Sequence, residues 1–175
     1  MFDFIKTMLT APEAKASRTA RLIALESGGR ARWTPRDYAA LAREGYQRNA
    51  VAFRCIRLVA ESVAAAPLLL FDGRRELDAH PFLALLNAPN GRDGAAGFLE
   101  AVVSHLLIAG NAYVESVLID GEPRELHALR PDRMEVVPAS NGWIAAYDYS
   151  VNGGTVRFFQ DRPPVQPIRH LRLFH

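Results

Sequence analysis

Residues 95–122 read AAGFLEAVVSHLLIAGNAYVESVLIDGE, and the periodicity of the chain changes inside them. Before Gly110, the residues Phe98, Leu99, Val102, Val103, Leu106, Leu107 and Ile108 recur at helical spacing and leave little polar surface. That pattern predicts a core helix over 95–109. Burying each such side chain stabilises a fold by roughly 1.5–3 kcal/mol, an upper bound because unfolded chains are already partly compact. From Asn111 the period drops to two. Tyr113, Glu115, Val117 and Ile119 fall on one side of an extended segment, with Val114, Ser116 and Leu118 on the other. Gly110 sits where a helix end asks for left-handed backbone, which glycine adopts without a Cβ clash. Asp120-Gly121 then carries the signal of a two-residue hairpin turn.

Outward from this junction the two halves differ. Downstream, strands are expected over 125–129, 134–137, 145–149 and 155–159, with turn chemistry at Asn141-Gly142 and Asn152-Gly153-Gly154. A strand-like run over 168–174 closes the sequence without a turn or cap. Upstream, helices dominate. Thr34-Pro35 suits a helix start, with Asp37 giving a partial capping box, and Gly45 reads as the stop after about Arg43. Asn49 opens a helix reaching about Ala66, ended by Pro67. On it Ala52, Ile56, Val59 and Val63 form one apolar face, and Arg57 lies within reach of Glu61. Residues 68–71 read as a short buried strand turned by Asp72-Gly73, and a short helix over 81–87 ends at Pro89-Asn90-Gly91. The expected fold is therefore α+β, with N-terminal helices followed by an antiparallel β-rich region. Residues 1–30 are weakly periodic and broken by Gly28-Gly29. They are expected to form a flexible N-terminal arm ahead of a domain spanning 31–175.

Composition narrows the function classes. The 175 residues are 49% apolar and 23% charged, ordinary for a globular domain that needs no disulfide or metal staple. The lone Cys55 lies among apolar residues in a helical pattern, so a buried, inert thiol is expected. No apolar run approaches the ~20 residues of a membrane helix, and Asp3 and Lys6 interrupt the stretch that would serve as an export signal. The net charge of +2 hides an asymmetry, because residues 1–60 hold 11 Lys/Arg against 5 Asp/Glu and residues 61–175 hold 10 against 14. A basic N-terminal half would suit nucleic acid, with Arg48, Arg54 and Arg57 as candidate contacts to nucleic acid or a partner. The scatter of these arginines, without interleaved aromatics, fits GC-rich coding better.

The search for catalytic chemistry finds no such motif. An NTP-driven motor needs a glycine-rich phosphate loop with a following lysine, and the only lysines are Lys6 and Lys15. Zinc needs clustered Cys or His. The sequence has one cysteine and five dispersed histidines: His80, His105, His127, His170 and His175. His105, on the apolar helix, reads as a hydrogen-bonded core or interface imidazole. Glu122, Glu125, Asp132 and Glu135 read as solvated charge, and no serine lies in a nucleophile elbow. No catalytic, cofactor or metal residue is assigned, and the expectation is a protein that is not an enzyme and needs no cofactor.

Three segments carry a family likeness: Tyr46-Gln47-Arg48-Asn49-Ala50-Val51 leading through Cys55-Ile56 to Pro67; His80-Pro81 followed by Leu85-Leu86-Asn87-Ala88-Pro89-Asn90; and Gly110-Asn111-Ala112-Tyr113-Val114. Their order and spacing resemble portal proteins of the HK97-like tailed phages. Trp33-Thr34-Pro35-Arg36-Asp37, the run from Glu125 to Arg130, Asp132-Arg133-Met134 and the ending from His170 to His175 most resemble portals of gene transfer agents, phage-like particles encoded in bacterial genomes. The resemblance makes Asn49, Pro67, His80, Pro81, Asn87, Pro89, Asn90, Gly110, Asn111 and Tyr113 architectural positions. It implies a homo-oligomeric ring, typically of twelve, at one vertex of a virion or gene transfer agent particle assembled in the bacterial cytoplasm. Such a ring passes double-stranded DNA and meets capsid protein, a terminase motor and a head–tail adaptor, with no membrane involved. Family chains continue through stem and clip elements, so this stretch is expected to be a wing-type domain that is incomplete at its C-terminus. It is expected not to close a stable ring alone.

Overall fold

A computed structural model describes residues 38–160 and 165–173. The expected arm over 1–30, the helix start at Thr34-Pro35 and the last two residues lie outside the described residues. Helix α1 begins at Tyr38–Ala40 and widens into a π-helical segment, Leu41–Gln47, closed by Arg48 N–H donating to the Arg43 carbonyl at 3.1 Å. Helix α2 spans Ala50–Ala64. A minimal hairpin follows, β1 (Phe71–Asp72) against β2 (Arg75–Glu76), and then α3, Pro81–Asn87. Helix α4, Ala95–Ala109, leads through Gly110 into β3, Asn111–Ile119, which pairs with β4, Glu122–Leu129. A single 3-10 turn, Pro131–Arg133, connects to β5 (Met134–Pro138), β6 (Ile144–Val151) and β7 (Gly154–Phe159), and the last described strand is β8, Ile168–Arg172.

Two three-stranded antiparallel sheets result, one ordered β4-β3-β8 and the other β5-β6-β7. The period-two pattern of β3 explains how they stack. Ala112 and Val114 turn toward Phe98 and Val102 of α4, forming one core with Leu99, Leu106, Leu126 and Ala128 around it. Tyr113, on the opposite face, joins Leu129, Ile168 and Tyr147 in a second core, flanked by Met134, Ile144, Tyr149 and Phe158 of the other sheet. Helix α2 packs on α4 from outside. The layers thus run α2, α4, β4-β3-β8, β5-β6-β7. The hairpin turns are those read from sequence, with positive φ at Asp120 and Gly121 (54° and 79°) and at Asn152 and Gly153 (52° and 80°), as type I′ geometry requires.

Four local expectations are corrected. Gly45 does not stop α1. The helix passes through it, and Tyr46 packs on Phe53 of α2 at 4.9 Å between ring centroids, a contact that holds the last turn in place. The buried face of α2 is not the one carrying Val59 and Val63, which are exposed. Ala60 is fully buried, with Ala52, Ile56 and Ala64 partly covered beside it, because small residues let two helices approach closely. Cys55 is exposed on the outer side of α2. Residues 68–71 do not form a buried strand: Leu68, Leu69 and Phe71 are exposed, and only Phe71 enters the two-residue β1.

Gly110 has φ 71° and ψ 0°, and its N–H donates to the Leu106 carbonyl at 2.8 Å. A β-branched residue is strongly disfavoured there. Gly110→Val is expected to lower the unfolding free energy by about 1–3 kcal/mol in urea titrations, and Gly110→Ala by less. Parental stability in both variants would contradict the helix-end assignment.

Candidate functional site

The architectural positions singled out in the sequence resolve into caps and pins. The Asn49 side-chain oxygen accepts from the Val51 and Ala52 N–H groups, each at 3.1 Å, and so caps α2. Nδ1 of His80 accepts from the Phe82 N–H at 3.1 Å, with Pro81 at the first helical position of α3. Pro89 is fully buried, and its carbonyl accepts the Leu126 N–H of β4 at 2.6 Å. Asn90 completes this pin. Its Nδ2 donates to the Leu126 carbonyl at 2.9 Å while its Oδ1 accepts from the Arg92 and Asp93 N–H groups at 2.8 and 2.9 Å. Asn87 is exposed at the end of α3, and Pro67 is exposed beyond α2.

Asn111 and Tyr113 meet Tyr147, which the sequence did not flag, and His170, which it flagged only as part of the family-like ending. Asn111 Nδ2 donates to the Ala109 carbonyl at 3.1 Å, which leaves Asn111 Oδ1 as the acceptor for His170 Nε2 at 2.9 Å. His170 therefore carries its proton on Nε2, and Nδ1 accepts the Tyr147 O–H at 3.1 Å. The donors run in one direction, from Tyr147 on β6 through His170 on β8 and Asn111 on β3 to the last turn of α4. Chains of this kind polarise one another and strengthen. The Tyr113 ring stacks on the imidazole with centroids 4.3 Å apart, and Tyr147 meets both rings edge-on at 5.7 Å. Burial, and after it Arg172, hold the His170 imidazole below its usual pKa. No local pattern could reveal this cluster, since its members lie 23 and 59 positions apart; the sequence shows only a lone histidine in a strand.

A second histidine ties the first helix to the core. His105 on α4 accepts from or donates to Tyr38 at 2.9 Å through Nδ1, and burial, then Arg130, lower its pKa. This matches the expectation of a hydrogen-bonded core imidazole. Of the three candidate arginines, Arg57 forks onto Glu61 at 2.9 and 2.5 Å and reaches Glu100 at 3.6 Å. Arg54 lies 3.8 Å from the same Glu61. Arg48 is exposed between α1 and α2. Arg54 and Arg57 thus face Glu61 and Glu100, and the geometry gives the nucleic-acid reading no support.

A shallow groove of about 480 Å³ lies between α3 and the β3–β4 turn, lined by Phe82, Leu85, Pro123 and the Glu122–Arg124 ion pair. Among the described residues no group of three or more His, Cys, Asp or Glu side chains could hold a metal ion, and no helix is long and apolar enough to cross a membrane.

The model of a family described as phage portal protein matches residues 50–175. An uncharacterized protein of Rickettsia bellii is 26% identical over 134 residues, covering 75% of this chain and 34% of its own length. Among solved structures, a chain in the neck of an empty gene transfer agent particle, computed with sixfold symmetry, superposes with a TM-score of 0.76 at 45% identity. The match covers 91% of this chain and 43% of that one. A chain in the neck of a native particle, computed with twelvefold symmetry, gives 0.69 at 42% identity, covering 91% and 42%. The chain spans about a third of the curated relative and less than half of each structural neighbour.

The two histidines set a pH dependence. Both have a native pKa below the unfolded value of about 6.5, so the unfolded state binds more protons as pH falls through that value and stability falls with it. Half-buried Glu115, whose carboxyl is raised by burial, acts in the opposite sense at lower pH. Denaturant titrations between pH 7.5 and pH 5.5 should show unfolding free energy dropping toward acid, less steeply in His105→Gln and His170→Gln. Equal slopes in parent and variants would contradict the assignment.

Proposed function

The chain belongs to the phage portal protein family, and from that membership we propose that it is a structural subunit of the portal ring at one vertex of a capsid. The observation that carries this reading is the 45% identity over 91% of the chain to a neck component of a gene transfer agent particle. It favours the gene transfer agent type of portal over a free phage. In this reading copies of the chain surround the passage for double-stranded DNA, contact capsid protein, receive a terminase motor during packaging and later a head–tail adaptor. Residues 31–175 act as a wing-type domain of that ring, with 1–30 as its N-terminal arm. The internal geometry supports a structural role. Asn49, His80, Pro89, Asn90, Gly110, Asn111 and Tyr113 each satisfy a backbone group, end a helix or join two layers. Family and geometry together favour a chain without catalysis of its own, with ATP hydrolysis supplied by the motor it docks.

An epitope tag on the chain, expressed in the bacterium that encodes it, should label particles at a single pole in immuno-electron microscopy. Label spread over the whole shell, or none on particles, would overturn the reading. The purified chain should not turn over ATP. Turnover that a point substitution in this chain abolishes would make the non-enzymatic assignment untenable.

A further inference from the structure

The outer arc of α2 leaves large apolar side chains exposed. On a helix of 3.6 residues per turn, Val51, Cys55, Leu58, Val59, Ser62 and Val63 fall within one arc of about 140°. Val51 is 73% exposed, Leu58 53%, Val59 45% and Val63 43%. Arg54, Arg57 and Glu61 lie together on one flank, outside the arc, and pair with one another. The Ser62 hydroxyl donates to the Leu58 carbonyl at 2.6 Å, so its own hydrogen-bonding demand is met within the helix. The inward side meanwhile presents alanines, Ala60 among them fully buried. Ile56, partly covered, and Phe53, against Tyr46, share that inward side, while Val51, Leu58, Val59 and Val63 stay exposed on the outer arc. An uncharged apolar face of this extent marks surface that another molecule covers.

Nucleic acid is a poor occupant, because phosphates need Arg or Lys and the arc has neither. A ring of identical subunits is a good one. Each copy in a closed ring must offer one surface to the neighbour ahead and a different surface to the neighbour behind. Among the described residues α2 is the outermost layer of the stack, so its outer arc can meet a second copy without disturbing either core. We propose that the outer arc of α2 is a subunit-contact surface seated against a different face of a second copy of this chain, an inference that rests on the ring reading above. One helix of this length, ~22 Å, covers only part of the ~800 Å² per partner that a stable contact buries. The exposed Leu68 and Leu69 just beyond it add to the apolar surface.

Cys55, the only cysteine, lies in the arc and accepts a thiol-directed photocrosslinker. The probe is the purified full chain, mixed with its heavy-isotope-labelled form so that bridges within and between copies separate by mass. Bridges from Cys55 to residues outside α2 on another copy are the expected result. Bridges confined to the same copy, including to residues 1–37, bridges only between two Cys55 residues, or none at all would overturn the proposal. Leu58→Asp should reduce intermolecular yield about tenfold or more, equivalent to about 1.4 kcal/mol of contact, while melting like the parent. Leu58→Ser serves if the aspartate variant does not fold. Undiminished bridging in a folded variant also defeats the assignment. Single-pole labelling of particles without these bridges would sink this surface alone, whereas loss of single-pole labelling would sink the ring reading itself.

Discussion

Ala112 and Val114 turn toward α4 while Tyr113, between them, turns toward the second sheet, and the placement of the other layers follows from that alternation. A strand buried on both faces has no tolerance for a slip of register, because moving by one residue would send Tyr113 into the helix core and leave alanine to fill the aromatic one. The register is therefore held at both ends. Gly110 fixes where the helix ends and the strand begins, its carbonyl taking the Leu173 N–H at 3.0 Å, and Asp120-Gly121 fixes where the strand turns back. The hydrogen-bond chain from Tyr147 through His170 to Asn111 then locks the second sheet to the same strand.

Much of this was legible in the sequence because it is local. The change of period at Gly110, the hairpin signals and the proline and asparagine caps each depend on neighbours a few positions away, and helix α3 and strands β3 to β7 lie close to where those signals put them. The errors have a common origin in reading bulk as burial. Val59 and Val63 outweigh Ala60 and Ala64 on any apolar count, yet helix–helix contact with α4 selects the alanines because they allow close approach. The same bias placed Cys55 and residues 68–71 inside. Gly45 was read as a stop by propensity, about 1 kcal/mol in a helix interior, and the Tyr46–Phe53 contact overrode it. The Tyr147–His170–Asn111 chain was out of reach because its partners meet only once both sheets have formed.

Several polar side chains of this domain are engaged in wiring. His105 joins α1 to α4, His170 joins the two sheets, Asn90 pins a loop to β4, and Asp148 holds Arg157 in a bidentate pair across β6 and β7. Surface pairs such as the last contribute little to stability. The half-buried histidine links weigh more, because each unsatisfied partner left inside would cost about 1–3 kcal/mol. Catalytic sites gather titratable groups into one cleft and shift them against each other. Here the two shifted histidines sit in separate layers, each hydrogen-bonded to a tyrosine, a layout that fits the structural role proposed above.

A scaffold of this kind suits a ring. In a closed assembly every subunit repeats the same rotation, so an angular error in one is multiplied around the circle and closure fails. The two contact faces must therefore keep a fixed relation through the body of the subunit. A stack of helix, helix, sheet and sheet, with β3 buried on both sides and a directional hydrogen-bond chain crossing from the second sheet to the end of α4, has few ways to shear. The outward-facing valines and leucine of α2 lie at one end of that rigid stack. Their place, as much as their apolar character, is what fits them to meet a neighbouring copy.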